Sequence, residues 1–257
     1  MHLSNVRLSK PRPIFLLSML CLLFAGCAGK EVPEVRGPQY FYNKGTEALG
    51  KERYLEAIEN FQRLVSNFPG SALVADGQYQ LAQSYFGMED YINSVFEYQR
   101  LIDTYPSSEW ASEAAFQIGE AFFEQRRHPE LDQAETFEAL TAFRRFIEDY
   151  PTSPKIEIAQ QRVTTSRERL AHKEYLGAQL YHRQGHLEAA RMSYDQLLLS
   201  FPDTEWYLHG LAQLGTLERD EGSVETARQH WQQVLDNTKD AKLRDQVQLW
   251  LTELDTP

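Results

Sequence analysis

Few side chains in this sequence stand at spacings that could support catalysis or metal binding. His182 and His186 lie four residues apart, a separation at which two imidazoles on one helix face can bind a metal ion. Gly185 between them favours a helix end at this point, and no third ligand suggests itself, so surface histidines are the stronger interpretation. Carboxylates such as Glu56 and Glu59 fall on predicted polar helix faces. With no glycine-rich phosphate loop and no nucleophile elbow, the sequence predicts neither an enzyme nor a cofactor.

The cysteine chemistry is confined to the N-terminus. Arg7, Lys10 and Arg12 precede an apolar run over residues 14–24, which is too short to span a bilayer comfortably. Small residues then lead to Cys27. This segment resembles a bacterial lipobox, in which the cysteine is lipidated on sulfur and becomes the new N-terminus. A plain secretory signal is the alternative.

The lipobox resemblance implies how the N-terminus is processed. Residues 1–26 would be a lipoprotein signal peptide, and residues 27–38 a linker from the lipidated Cys27. Acyl chains such as palmitate hold a protein on a membrane, because each buried methylene contributes about 0.8 kcal/mol. Ala28 stands where an aspartate usually marks inner-membrane retention, so the chain is similar to outer-membrane lipoproteins that face the periplasm. Cys21 would be lost with the signal, which leaves no disulfide in the mature chain.

The mature chain is strongly acidic. The full sequence carries a formal charge of −11, and loss of the three basic residues of the signal peptide would change it to −14. Phosphate backbones require a basic surface. The charge therefore argues against nucleic acid as the main partner.

Four aromatic-proline pairs mark the ends of a repeating helical unit. The prolines are Pro69, Pro106, Pro151 and Pro202. A small residue, an aromatic residue and two apolar residues stand twelve, eight, five and four positions before each proline, which places them on one helical face. Proline cannot continue a helix and disfavours the α conformation in the residue before it, so each pair ends the second helix of a hairpin. This order is typical of tetratricopeptide repeats.

The repeats predict an all-α fold, a tetratricopeptide-like solenoid of about five helical hairpins. Repeats 1–3 occupy residues 39–153, with an insertion near 126–133, and residues 154–257 hold a long helix, repeats 4 and 5 and a terminal helix. The long helix between repeats 3 and 4 is predicted because no helix breaker stands between Pro154 and Gly177. The terminal helix would cap the exposed end of the stack.

An aromatic residue recurs on the first helices of the repeats, 27 positions before the proline. It is Tyr42, Tyr79 and Tyr175 and, allowing for the insertion, Phe116. In tetratricopeptide stacks this position faces the groove that holds peptides. The predicted peptide-binding groove comprises Tyr42, Thr46, Leu49, Tyr79, Gln83, Phe86, Phe116, Glu120 and Phe123. Rings offer apolar area and amides can bond a peptide backbone, but packing of the rings between helices remains an open alternative.

Three longer segments carry a resemblance to a known family. They are YNKGTEALGKERYLEAIENFQRLVSNFPGS, the stretch from ALTAFRRFIEDYPTSP to RERLAHKEYLGAQLYHRQGHLEAARMSYDQLLLSFPDT, and the insertion in the third repeat. Together with the lipobox, they resemble the BamD family of outer-membrane assembly lipoproteins. The resemblance implies a lipid-anchored scaffold of the β-barrel assembly machine, which helps to insert β-barrel proteins into the outer membrane.

The same resemblance implies the partners. A BamA-like barrel subunit would contact the C-terminal repeats, for which Tyr175, Gln179 and His182 are the candidate interface residues. Other assembly-machine lipoproteins would join it. The N-terminal repeats would recognise the C-terminal signals of unfolded outer-membrane proteins.

Two alternatives belong to other functional classes. The segment SEAAFQIGEAFF also resembles repeats of the periplasmic coordinator of the Tol-Pal system. Only AGKEVPEVRGPQ separates Cys27 from the first repeat, however, which leaves no room for the coiled coil of those proteins. An enzyme acting on peptidoglycan would need a placed acid or nucleophile, and the sequence shows none.

Overall fold

A computed structural model of the protein describes residues 36–254, which form eleven α-helices and no strand. The helices are α1 (Pro38–Leu49), α2 (Tyr54–Asn67), α3 (Val74–Gly87), α4 (Tyr91–Thr104), α5 (Ala111–Glu124), α6 (Ala134–Asp149), α7 (Ile156–Arg183), α8 (Leu187–Ser200), α9 (Glu205–Asp220), α10 (Val224–Asn237) and α11 (Ala241–Leu254). The all-α prediction is confirmed. The predicted signal peptide and Cys27 lie outside the described residues.

Consecutive helices pack against each other and build a stack of hairpins. The first-helix row, as we call it, consists of α1, α3, α5, α7 and α9. The second-helix row consists of α2, α4, α6, α8 and α10. Within the first-helix row, α1 contacts α3, α5 contacts α7, and α7 contacts α9.

Each aromatic residue before a repeat proline stands at the end of its helix. The backbone leaves the α region there, with φ −131° and ψ 52° at Phe68 and φ −133° and ψ 49° at Phe201. Tyr105 and Tyr150 cap α4 and α6 in the same way. In all four, the backbone N–H still donates to the carbonyl oxygen four residues earlier. The predicted helix ends are confirmed.

Small residues on the first helices let aromatic rings of the second helices approach the backbone. A Cβ atom on Gly45 would lie 2.6 Å from the ring of Phe61, and one on Gly215 would lie 2.6 Å from Nε1 of Trp231. Trp231 is fully buried, and its indole N–H donates to the carbonyl oxygen of Ala212 at 2.9 Å. The fifth hairpin, which lacks a proline, therefore packs by the same rule as the others.

Two elements depart from the regular hairpin. Helix α7 has 28 residues, which confirms the predicted long helix, and its C-terminal half packs against α8 through Tyr175 and Tyr194. Helix α11 covers the end of repeat 5 with Leu243, Val247 and Leu251, as expected of a capping helix.

Candidate functional site

The recurring ring of the first-helix row is buried in three of four repeats. Tyr79, Phe116 and Tyr175 are 8%, 4% and 8% exposed, whereas Tyr42 is partly exposed. Each ring packs on the aromatic residue of the second helix of its own hairpin. The centroid distances are 6.3 Å for Tyr42–Phe61, 5.8 Å for Tyr79–Tyr98, 5.6 Å for Phe116–Phe143 and 6.2 Å for Tyr175–Tyr194. Burial at the three positions favours the packing alternative there.

Tyr79 is covered by a tryptophan from the next repeat. The Trp110 ring stacks on it with centroids 4.3 Å apart and planes 16° apart. The Trp110 indole N–H donates to Oδ1 of Asp76 at 2.8 Å, which fixes the ring in place. Burial, with a smaller contribution from Glu113, raises the pKa of Tyr79 to about 12.

The same cover recurs over the later rings. Trp206 lies 5.2 Å from Tyr175 between centroids, and the Lys155 ammonium lies 4.5 Å above the Phe116 ring centre. These three covering residues each stand four positions after a repeat proline, in PSSEW, PTSPK and PDTEW. The sequence interpretation missed them, although this fixed position was a usable signal.

Helix α7 closes repeat 3 by lying parallel to α5. Three polar contacts join α7, with Lys155 just before it, to α5 and the residues just after it, at a constant separation of 42 residues. They are Lys155 Nζ to Glu113 Oε1 at 2.7 Å, Arg162 to both oxygens of Glu120 at 2.7 and 3.1 Å, and Arg169 to the carbonyl oxygen of Arg127. A constant separation requires parallel helices in fixed register. The insertion also contacts α7, because the Lys173 ammonium of this helix donates to the carbonyl oxygen of Glu130 at 2.8 Å.

Phe123 and Glu120 of the predicted groove are occupied by this contact. The Phe123 ring is 2% exposed, and the guanidinium carbons of Arg126 and Arg162 lie 4.0 and 4.3 Å from its centre. The Glu120 side chain is 14% exposed and carries the ion pair with Arg162. In this conformation the third repeat offers little ring surface to a peptide.

Repeats 1 and 2 keep an accessible part of the predicted groove. We call it the open site: Tyr42, Thr46, Leu49, Gln83 and Phe86, all partly or fully exposed. Tyr42 and Leu49 rest on the core of repeat 1, and Phe86 rests on that of repeat 2. The open site therefore presents apolar edges supported from beneath by rigid helices.

Polar groups of the open site are held by local hydrogen bonds. The Thr46 hydroxyl donates to the carbonyl oxygen of Tyr42 at 2.9 Å, and the Gln83 amide donates to the Tyr79 hydroxyl at 2.9 Å. Burial, and secondarily the charge of Asp76 on α3, raises the pKa of Tyr42. Helices α1 and α3 contact each other, so the residues of the open site form one surface.

The predicted partner interface lies on the C-terminal half of α7. Gln179 donates to the Tyr175 hydroxyl at 3.3 Å, and burial raises the pKa of this tyrosine. The His182 ring meets Tyr194 edge-on at 6.4 Å. Gln179 and His182 are partly exposed.

Two histidines that the sequence interpretation did not single out adjoin this interface. His172 stacks on Trp206 at 3.7 Å with planes 6° apart, and His209 lies 5.0 Å from the same ring. Nε2 of His209 is 3.5 Å from Oδ2 of Asp240. Burial lowers the pKa of both imidazoles.

The candidate metal pair is separated by the end of α7. This helix ends at Arg183, Gly185 has φ +77°, and His186 caps the start of α8. Between residues 36 and 254, no group of three or more His, Cys, Asp or Glu side chains could hold a metal ion. Nor does any helix in that range have the length and apolarity needed to cross a membrane.

The comparisons with known proteins agree on one family. The family model YfiO, described as "Outer membrane lipoprotein", matches residues 36–234. The outer membrane protein assembly factor BamD of Vibrio cholerae is 29% identical over 201 residues, which is 74% of this chain and 83% of the relative.

Solved structures of two TPR proteins are less similar to this chain. A complex of the TPR2AB domain of yeast Sti1 is 11% identical with a TM-score of 0.43, and the match covers 84% of each chain. A thermophilic TPR protein from Thermus thermophilus is 16% identical with a TM-score of 0.36, and the match covers 84% of this chain and all of the other.

Proposed function

Because the chain belongs to the YfiO family of outer membrane lipoproteins, we propose that it is a lipid-anchored periplasmic scaffold of the β-barrel assembly machine. It acts by binding, without a catalytic step, and helps β-barrel proteins to insert into the outer membrane. The similarity to an outer membrane protein assembly factor supports this role. Lipid on Cys27 supplies the anchor, and incorporation of labelled palmitate that is lost in Cys27→Ala tests it.

One observation carries the binding role: the open site remains accessible, while the matching surface of repeat 3 is closed. Tyr42, Leu49 and Phe86 offer apolar edges across α1 and α3, with Thr46 and Gln83 beside them. An extended segment with an aromatic end can place its ring against these edges and its backbone beside the polar groups. The proposed ligand is the C-terminal segment of an unfolded outer-membrane protein.

A peptide-binding measurement on the full mature protein in mild detergent tests this site. Two ten-residue peptides differ only in a C-terminal Phe or Ala. Burial of the ring contributes about 1.5–3 kcal/mol, so the Phe peptide should bind roughly 10- to 100-fold more tightly. Thr46→Arg should remove this preference, because a long charged side chain then lies over the open site.

The matched control is Thr164→Arg. Thr164 is also exposed and also donates its hydroxyl to a carbonyl oxygen four residues earlier, but it lies on α7. Equal affinity for both peptides, or equal loss in both variants, contradicts the proposed site.

We further propose that the C-terminal half contacts the barrel subunit. Tyr175, Gln179 and His182 form this interface, joined by His172 beside Trp206. Partial exposure of Gln179 and His182, next to buried rings, supports this interface.

Co-purification of the lipidated protein from its own membranes tests the interface. A large barrel protein with periplasmic repeat domains, at near-equal amount, is the expected partner. Gln179→Arg should reduce its recovery, while Gln161→Arg, exposed at the other end of α7, should not. Recovery of Pal or TolA without that barrel protein moves the chain to the Tol-Pal class.

A further inference from the structure

A second groove opens in the second-helix row, between α4 and α6 and over α5. Its enclosed part has a volume of about 210 Å³, and the apolar portion of its lining includes Val95, Ile102, Ala115, Ile118, Phe122 and Ala142. An adjoining depression of about 340 Å³ shares Val95, Phe122 and Glu138 with it and continues past Ile92. No residue of the open site lines either part.

At two positions that line the groove, repeat 3 has small residues where repeat 2 has a polar pair. In repeat 2, Gln78 of α3 donates a hydrogen bond to the carboxylate of Glu97 of α4, and both are buried. Counted from the proline and allowing for the insertion, the matching residues of repeat 3 are Ala115 and Ala142. Both alanines line the enclosed part, so the space that a polar pair fills in one repeat is left open in the next.

Three apolar side chains stand exposed on the two helices that flank the groove, and one of them, Ile92, is part of its lining. Ile92 and Phe96, one turn apart on α4, are 81% and 61% exposed, and Phe137 on α6 is 58% exposed. Scattered exposed apolar residues are ordinary, but three beside an apolar groove mark an interaction surface.

The rim carries unbalanced negative charge. Glu135 and Glu138 line the groove near the start of α6, and neither has an ion-pair or hydrogen-bond partner among residues 36–254. Toward the end of α6, Arg145 is paired with Asp149 at 3.3 Å, so the other end is neutral. A partner that fits must bring positive charge to the acidic end.

We propose that this groove docks an apolar, basic amphipathic helix of another polypeptide. Its lining runs from Ala134 to Tyr150, which spans about 24 Å at 1.5 Å per residue and suits a helix of about four turns. One apolar side chain of the partner fills the space beside Ala142, and a second packs at Ile92. Lysine or arginine next to the second one meets Glu135 and Glu138.

Photo-crosslinking in the full-length lipidated protein, in its own membranes, tests the proposal. The crosslinker p-benzoylphenylalanine replaces Phe137, and in the control it replaces Leu199, which is 78% exposed on α8. Mass spectrometry identifies the attached peptide. The expected product from position 137 is one major adduct with a helical, apolar and net basic segment of a different protein, at least fivefold above the control.

Two second-site variants connect the adduct to the groove. Ala142→Leu fills the enclosed part, and Glu138→Lys reverses the rim charge without touching the core. Each should lower the yield of the adduct at least fivefold, whereas Glu188→Lys, an exposed charge reversal on α8, should leave it unchanged. Circular dichroism and thermal melting confirm that each variant folds.

Four outcomes overturn the proposal. They are a yield at Phe137 no higher than at Leu199, an adduct with a second copy of this chain, an adduct with an acidic segment, and a yield that is the same in Glu138→Lys and in the unsubstituted protein. The peptide site in repeats 1 and 2 shares no residue with this groove, so either proposal can fail alone.

Discussion

Repeats 1 and 2 differ from repeat 3 in what lies over the same face of the first-helix row. In repeat 3, Phe116 and Phe123 lie under the basic side chains of Lys155 and Arg162. In repeats 1 and 2, the open site remains accessible at Tyr42 and its neighbours. Equivalent positions in a repeat therefore have different exposure, because the helix that follows in the stack decides what is covered.

The difference separates two roles for one sequence position. Where the next helix lies parallel and in register, as α7 does on α5, rings and acids become part of the interface between helices. Where the cover is incomplete, the same kinds of residue remain available to a ligand. The accessible part of the predicted groove thus lies in the repeats that precede the long helix.

The largest expected effect is on stability, and it should differ between a buried aromatic side chain in repeat 3 and a partly exposed one in repeat 1. Phe116 is 4% exposed and packs on Phe143 and Phe146, so Phe116→Ala should lower the free energy of unfolding by about 3–5 kcal/mol. Tyr42→Ala removes a partly exposed ring and should cost about 1 kcal/mol. Urea denaturation of the two variants measures both, and equal losses would remove the distinction between the regions.

A smaller effect follows from opening repeat 3. Arg162→Ala leaves the mostly buried Glu120 carboxylate without its partner and uncovers Phe123, so it should cost about 1–3 kcal/mol. Amide hydrogen exchange along α5 should become faster. Arg63→Ala is the control, since its ion pair with Glu59 is half exposed and should contribute about 0–1 kcal/mol. A loss no larger than that of the control would mean that α7 does not hold repeat 3 closed.

Repeats 4 and 5 should be sensitive to pH through two histidines, His172 on α7 and His209 on α9. Burial lowers the pKa of His172 and His209 below the ordinary 6.5, although Asp240 and Glu205 oppose the shift at His209. For each histidine, the folded state then binds fewer protons than the unfolded state at any pH between the lowered folded-state pKa and the unfolded value of 6.5. Stability should be complete above pH 6.5 and fall as the pH drops through this window. Urea denaturation between pH 5 and 8 measures how the free energy of unfolding depends on pH. This dependence should become weaker in His209→Gln and should persist in the exposed-site control His186→Gln.

The smallest effect concerns an exposed ion pair of repeat 1, between Lys51 and Glu47. Lys51, and then Lys44, hold the pKa of Glu47 at about 2, below its ordinary value of 4.5. Its contribution to stability is therefore present above pH 4.5 and is lost as the pH falls toward 2. Lys51→Met should raise this pKa, as followed by NMR titration of the carboxyl carbon, with little change in unfolding because water screens the pair. Lys242→Met, on α11, should leave it unchanged.

Features that depend on one hairpin could be predicted from the sequence. The aromatic-proline pairs fixed where α2, α4, α6 and α8 end, because proline acts on its immediate neighbour. The predicted apolar face of the second helices is also confirmed, since Phe61, eight positions before its proline, is buried against Gly45 of the same repeat.

Features that depend on the next hairpin were not predicted. Tyr79 looked available to a peptide, but its cover is Trp110, which belongs to the following repeat. Glu120 looked like a polar group for a peptide backbone, but α7 brings Arg162 to it. The pattern describes one repeat at a time, whereas exposure depends on how successive repeats stack.

The continuity of α7 also sets the rotational phase between its two halves. Lys155 and Arg162 face α5, while Tyr175 faces α8 further along the same uninterrupted helix. One extra residue between Arg162 and Tyr175 would turn everything after it by about 100°, so that only one half could keep its neighbours. Changes in length can be absorbed in the turns between helices, but within α7 they would redirect the C-terminal repeats as a block.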